Sequence, residues 1–118
     1  MKFLCLAYGD GKDWVVLTKS EQAALLAQDE VLRQRGDTVA TVQTTVTTLR
    51  AWDGTPSTTH EAVANSELPF VGFSIIEAND LDEVIRLVAG TPCARAKGAI
   101  EIRPILEINE NTVHSSSV

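Results

Sequence analysis

Acid–base chemistry near neutral pH needs one group that yields a proton close to another that takes it, and Asp29 and His60 are the pair whose types suit. The second histidine, His114, falls in a polar tail, so His60 carries any imidazole chemistry. In the connection after Asp53-Gly54, His60 could act as acid, base or orienting donor, or stand exposed beside Glu61. Asp29 has two readings on a helix. It lies on the face of Leu25 and Leu32, where partial burial would raise its pKa and suit a general base. If the apolar stripe centres instead on Ala24, Ala27 and Val31, Asp29 is solvated.

A looser set is Tyr8, Glu77, Glu101 and Arg103. Tyr8 ends a strand, Glu77 closes an alternating face behind Val71, Phe73 and Ile75, and Glu101 shares a face with Arg103. Tyr8, Glu77 and Arg103 are candidate ligand contacts; the alternative is ordinary surface pairing, which contributes little. Trp14 and Trp52 could line a pocket or simply pack. Cys5 alternates into a buried strand and Cys93 falls in a loop. No His/Cys/Asp/Glu spacing matches a metal site, and Gly9-Asp10-Gly11 is too short for a dinucleotide or phosphate loop, so no cofactor is expected.

The elements that must hold these residues are legible. With 118 residues the chain suits one domain, residues 1–108, followed by a polar tail over 109–118. A net charge of −6 without a basic cluster argues against nucleic-acid and anionic-membrane surfaces, and unpaired cysteines without an apolar leader point to the cytoplasm. Lys2 to Tyr8 reads as a strand apolar on both faces. Thr18-Lys19-Ser20-Glu21 forms a capping box for a helix over Gln22 to Arg35, ended by Gly36. Thr38 to Thr44 and Val46 to Asp53 suit strands, with a turn near Thr44-Thr45; residues 55–68 form an irregular polar connection. Phe70 to Ala78 is the clearest strand, and Asp80 with Glu83 caps a helix whose stripe is Leu81, Val84, Ile85 and Val88. Gly90 is placed to end that helix in the left-handed region, with Pro92 preventing its restart. A last strand spans Gly98 to Glu107.

The order β-α-β-β-α-β predicts a ferredoxin-like α+β domain, an antiparallel sheet with two helices on one face. Because the strands are apolar on both sides, the helix-free face requires a cover. A second copy packing sheet to sheet is one solution; the 54–68 connection folding over that face is the other.

Three segments carry a family resemblance: Met1 to Asp10, Leu68 to Ala78 with Asp80 to Glu83, and Ala99 to Pro104. Together they resemble the YCII-related proteins, in particular the DGPF branch. The resemblance implies a dimeric α+β barrel of unsettled activity, relatives with a His/Asp pair in a pocket, and a partnership with sigma factors. The motif that names the branch would fall on Thr59 to Ala64, where His60 replaces its Asp, Glu61-Ala62 its Gly-Pro and Val63 its Phe. Where many relatives carry a helical His, Asp29 stands, so the two types are exchanged. The leading functional expectation is a dimeric small-molecule-binding module linked to sigma-factor regulation. The alternatives are a cofactor-independent enzyme using Asp29 and His60 on a small polar metabolite, and a purely structural interaction protein.

Overall fold

The computed structural model describes residues 1–64 and 66–109; the rest of the expected tail, with His114, lies outside them. In chain order the elements are β1 (Lys2–Tyr8), α1 (Gly11–Val15), α2 (Lys19–Gln34), β2 (Thr38–Thr41), β3 (Thr48–Arg50), β4 (Ser57–Thr59), β5 (Phe70–Glu77), α3 (Leu81–Val88), α4 (Pro92–Arg95) and β6 (Ala99–Pro104). The main sheet runs β2-β5-β1-β6, antiparallel throughout. It is the ferredoxin-like arrangement, with α2 and α3 as the crossover helices.

Local chemistry sets both helices. Thr18 accepts from the Glu21 amide while Glu21 accepts from the Thr18 amide, so two otherwise orphaned donors are satisfied at the start of α2. At its end Gly36 takes φ +94°, and the Asp37 and Gly36 amides return to the Leu32 and Arg33 carbonyls. Asp80 caps α3 through the Glu83 amide, but the Glu83 carboxylate reaches one residue further back, to the Asn79 amide.

The core lies between these helices and one sheet face. Phe3, Cys5, Ile76, Leu32, Val84 and Val88 are buried together, with Val39, Ile100 and Ile102 packed against them. Gln28 donates to the Leu87 carbonyl and joins α2 to α3. Asp37, its side chain 5% exposed, accepts from Arg35 and from the Glu77 amide, tying the end of α2 to the end of β5. On the helix-free face Leu4, Leu6, Phe73 and Ile75 stay half-exposed, so the expected apolar outer face is present.

Several segments differ from the sequence reading. β3 does not pair with β2 across a turn at Thr44-Thr45; it leaves the main sheet and pairs with β4 in a separate two-stranded hairpin that turns at Asp53-Gly54. Residues 51–64 are exposed, so this hairpin is an arm, braced at its base by Thr48 donating to the Glu61 carbonyl. Thr-rich segments carry no apolar face that would hold them on the core. Gly90 is not left-handed, and Pro92, expected to prevent a restart, opens the short helix α4, since proline suits a first helical position. Asp10 caps a one-turn helix, α1, between β1 and α2. Leu106 lies beyond β6, fully exposed.

Candidate functional site

The helix-covered face of the sheet is filled at one end and hollow at the other. Phe3 and Ile76 face each other across β1 and β5 at the filled end. Toward the other end the same positions hold Cys5 opposite Ser74, then Ala7 opposite Gly72, side chains too small to reach the helices. Gly72 itself is forced by close strand approach: a Cβ there would lie 2.5 Å from the Ala40 carbonyl oxygen. The space left is a cavity of about 360 Å³. Leu26, Asp29 and Leu32 of α2 form its roof, and Trp14, Pro92 and Cys93 of the two short helices form its side. A break in the β1–β5 register at Ala7/Tyr8 leaves Val71 without a partner on β1, and Val71 lines this end of the sheet. Gly98 lets α4 sit against β1, because a Cβ there would meet the Tyr8 and Cys93 carbonyl oxygens at 2.3 and 2.5 Å.

Asp29 is therefore on the half-buried face of α2, while Ala24, Ala27 and Val31 are exposed. Burial pushes its carboxyl above the ordinary range, and the Arg33 charge one turn along opposes that only in part. Arg33 itself pairs with Glu30 at 3.4 Å. Cys93, expected in a loop, lies on α4 at the cavity wall; burial raises its thiol pKa, and the nearby Asp29 charge adds to the rise. Cys5 is 2% exposed and is likewise raised by burial. Both thiols are thus disfavoured as thiolates.

His60 follows β4 on the arm, exposed, with Nδ1 3.4 Å from the Val46 carbonyl oxygen. It does not line the Asp29 cavity, and no contact within the protomer brings the two together among the described residues. Tyr8 and Glu77 sit at opposite ends of the β1–β5 ladder, roughly 20 Å apart along the strands. Tyr8 packs on Phe70 with ring centroids 5.5 Å apart, beside a broad outer depression of about 970 Å³ that Glu101 also borders. A hydrogen bond from the Met1 ammonium, at 2.6 Å, holds the Glu77 carboxyl below its usual range. Arg103 gives both Nε and Nη2 to one oxygen of Glu101, at 3.0 and 2.8 Å. Tyr8, Glu77 and Arg103 thus form no single site. Trp14 reaches the cavity, whereas Trp52 is 90% exposed on the arm, with Arg50 5.8 Å from its ring centre.

Among the described residues, no group of three His, Cys, Asp or Glu side chains is placed to hold a metal ion, and no helix is long and apolar enough to cross a membrane. The family model of the YCII-related domain matches residues 1–109. This chain belongs to the YCII-related domain family. Among solved structures it is similar to 5-chloro-2-hydroxyhydroquinone dehydrochlorinase from Burkholderia phenoliruptrix AC1100, in complex with 2,5-dihydroxybenzoquinone. That similarity has 24% sequence identity and a TM-score of 0.45, covering 97% of this chain and 98% of that one. No curated protein matches the chain.

Proposed function

We propose that this YCII-related protein is a small-molecule-binding module whose ligand occupies the cavity beneath α2. One observation carries this reading. A half-buried carboxyl, Asp29, is the charged side chain of an otherwise uncharged cavity of about 360 Å³. That volume is at the lower end of ligand cavities, ~300–1,000 Å³, and an apolar lining with few convergent polar groups is their usual character. The helix-free face, with Leu4, Leu6, Phe73 and Ile75 half-exposed, supports closure against a second copy of the chain. The sigma-factor partnership implied by the resemblance belongs to this reading as its regulatory context, and co-purification with a sigma factor checks it.

The test is a thermal-shift screen of small apolar and amphipathic molecules against the wild type and Leu26→Trp. Leu26 is 51% exposed at the cavity's edge, so an indole there obstructs entry without disturbing the core. A ligand at one hundred times its Kd stabilises by ~2.7 kcal/mol, a shift of several degrees that the variant should lose. Ligands that shift both proteins equally bind elsewhere and end this reading.

A second reading, a cofactor-independent enzyme, draws support from the raised Asp29 carboxyl, which suits a general base. It needs His60, as acid–base partner, to arrive from another protomer. Turnover that vanishes in both Asp29→Asn and His60→Ala, and returns when the two variants are mixed, is its signature.

A further inference from the structure

The lining of the Asp29 cavity narrows what can occupy it. Its walls include Trp14, Leu26, Val39, Val88 and Ile100. Among the described lining residues Asp29 is the sole charged group; none is Lys, Arg or His. No hydrogen bond or ion pair from the described residues reaches its carboxylate. Arg33, the cation whose charge acts on Asp29, is exposed and engages Glu30. Of the other polar side chains lining the cavity, Thr41 on β2 offers a hydroxyl at its exposed edge, and two are already engaged. Thr91 is buried and donates its hydroxyl to the Val88 carbonyl at 2.6 Å, and Ser74 is buried against Cys5.

These features exclude ligands by type. A carboxylate or phosphate would face Asp29 with no cation to receive it. A sugar would find Asp29 and Thr41 for one or two hydroxyls and bury the rest against hydrocarbon without partners. A cation with an apolar body meets every requirement: its charge removes the desolvation penalty on Asp29, and its hydrocarbon covers the walls. Resting on the reading of this cavity as a binding site, we propose that its ligand is a compact hydrophobic amine whose ammonium pairs with Asp29. The chain's net charge of −6 also favours approach of a cation.

Benzylamine, phenethylamine and cyclohexylmethylamine, each beside its neutral alcohol, are suitable probes. Trp14 fluorescence reports occupancy in a Trp52→Phe background, where the exposed arm indole no longer contributes. At least one amine should quench Trp14 saturably, with its alcohol about tenfold or more weaker, the usual gap between a charged and a neutral hydrogen-bonded pair. Asp29→Asn should erase the difference between amine and alcohol while leaving the thermal melt cooperative. Amine affinity should also fall as pH drops through the raised Asp29 pKa, whereas alcohol affinity should not; Cys93 and Cys5, the other titratable groups facing the cavity, stay neutral across that range. Alcohols that bind as well as their amines overturn the amine assignment and leave the cavity reading standing. If no probe of either kind reaches Trp14, both fall.

Discussion

The two ends of one sheet face make opposite use of the same architecture. Both lie on β1 and β5, in one register, under the same helices. At one end Phe3 and Ile76 meet Val84, and all three are at most 1% exposed. At the other, Ala7, Gly72 and Ser74 stop short of α2, and Leu26 and Asp29 look down on a cavity. Stability is thus concentrated at the end with large side chains, and room for a ligand at the end with small ones. The helices hold the hollow end open because the filled end fixes their height above the sheet. A cavity kept open this way costs dispersion contacts at its lining, which the filled end must offset.

The sharpest way to break the comparison is to empty the filled end. Phe3→Ala removes a fully buried ring and should cost about 3–5 kcal/mol, read as a lower midpoint in urea denaturation. A cost below about 1 kcal/mol means that α2 and α3 collapse into the space, and that their height is not set there. Next in size is Gly72→Ala, because the added methyl meets the Ala40 carbonyl oxygen, a backbone atom that cannot move without β2. The expected loss is about 1–3 kcal/mol with β2 partly detached, visible as faster amide exchange at Ala40 and Val42, whose amides face β5. Unchanged exchange there refutes the close approach.

The parts legible in the sequence are those decided by neighbours in the chain. Thr18 with Glu21 and Asp80 with Glu83 mark helix starts because caps close over three or four residues. For Asp29 the sequence left two helix faces open, and the half-buried face is the one shared with Leu25 and Leu32. The cavity was not legible. It depends on what three strands fail to fill, and Ala7, Gly72 and Ser74 look unremarkable until the register sets them side by side. Cys93 was hidden because α4 is held by the backbone contacts at Gly98, which leave no periodic signal. The arm was misread because threonines suit a strand in any sheet, and only apolar alternation says which one. The location of His60 follows from the path of that arm.

The smallest effect separates the two ends by chemistry rather than by volume. Burial raises the Asp29 carboxyl above its ordinary value of 3.8, so the folded chain holds that proton more tightly than the unfolded chain. Between the two pKa values the folded state carries more protons, and stability falls as pH rises through that window. Below about 3.8 the carboxyl is neutral in both states and the penalty is gone. Asp29→Asn, neutral at every pH, should therefore melt above the wild type near pH 7, by on the order of 1–3 °C, and level with it at pH 3. Ile76→Val at the filled end should lower the melting temperature at both pH values by the same amount, since no titratable group is altered there. If the Asp29→Asn gain persists at pH 3, the penalty at the hollow end comes from shape and not from charge, and a cation is no longer its natural complement.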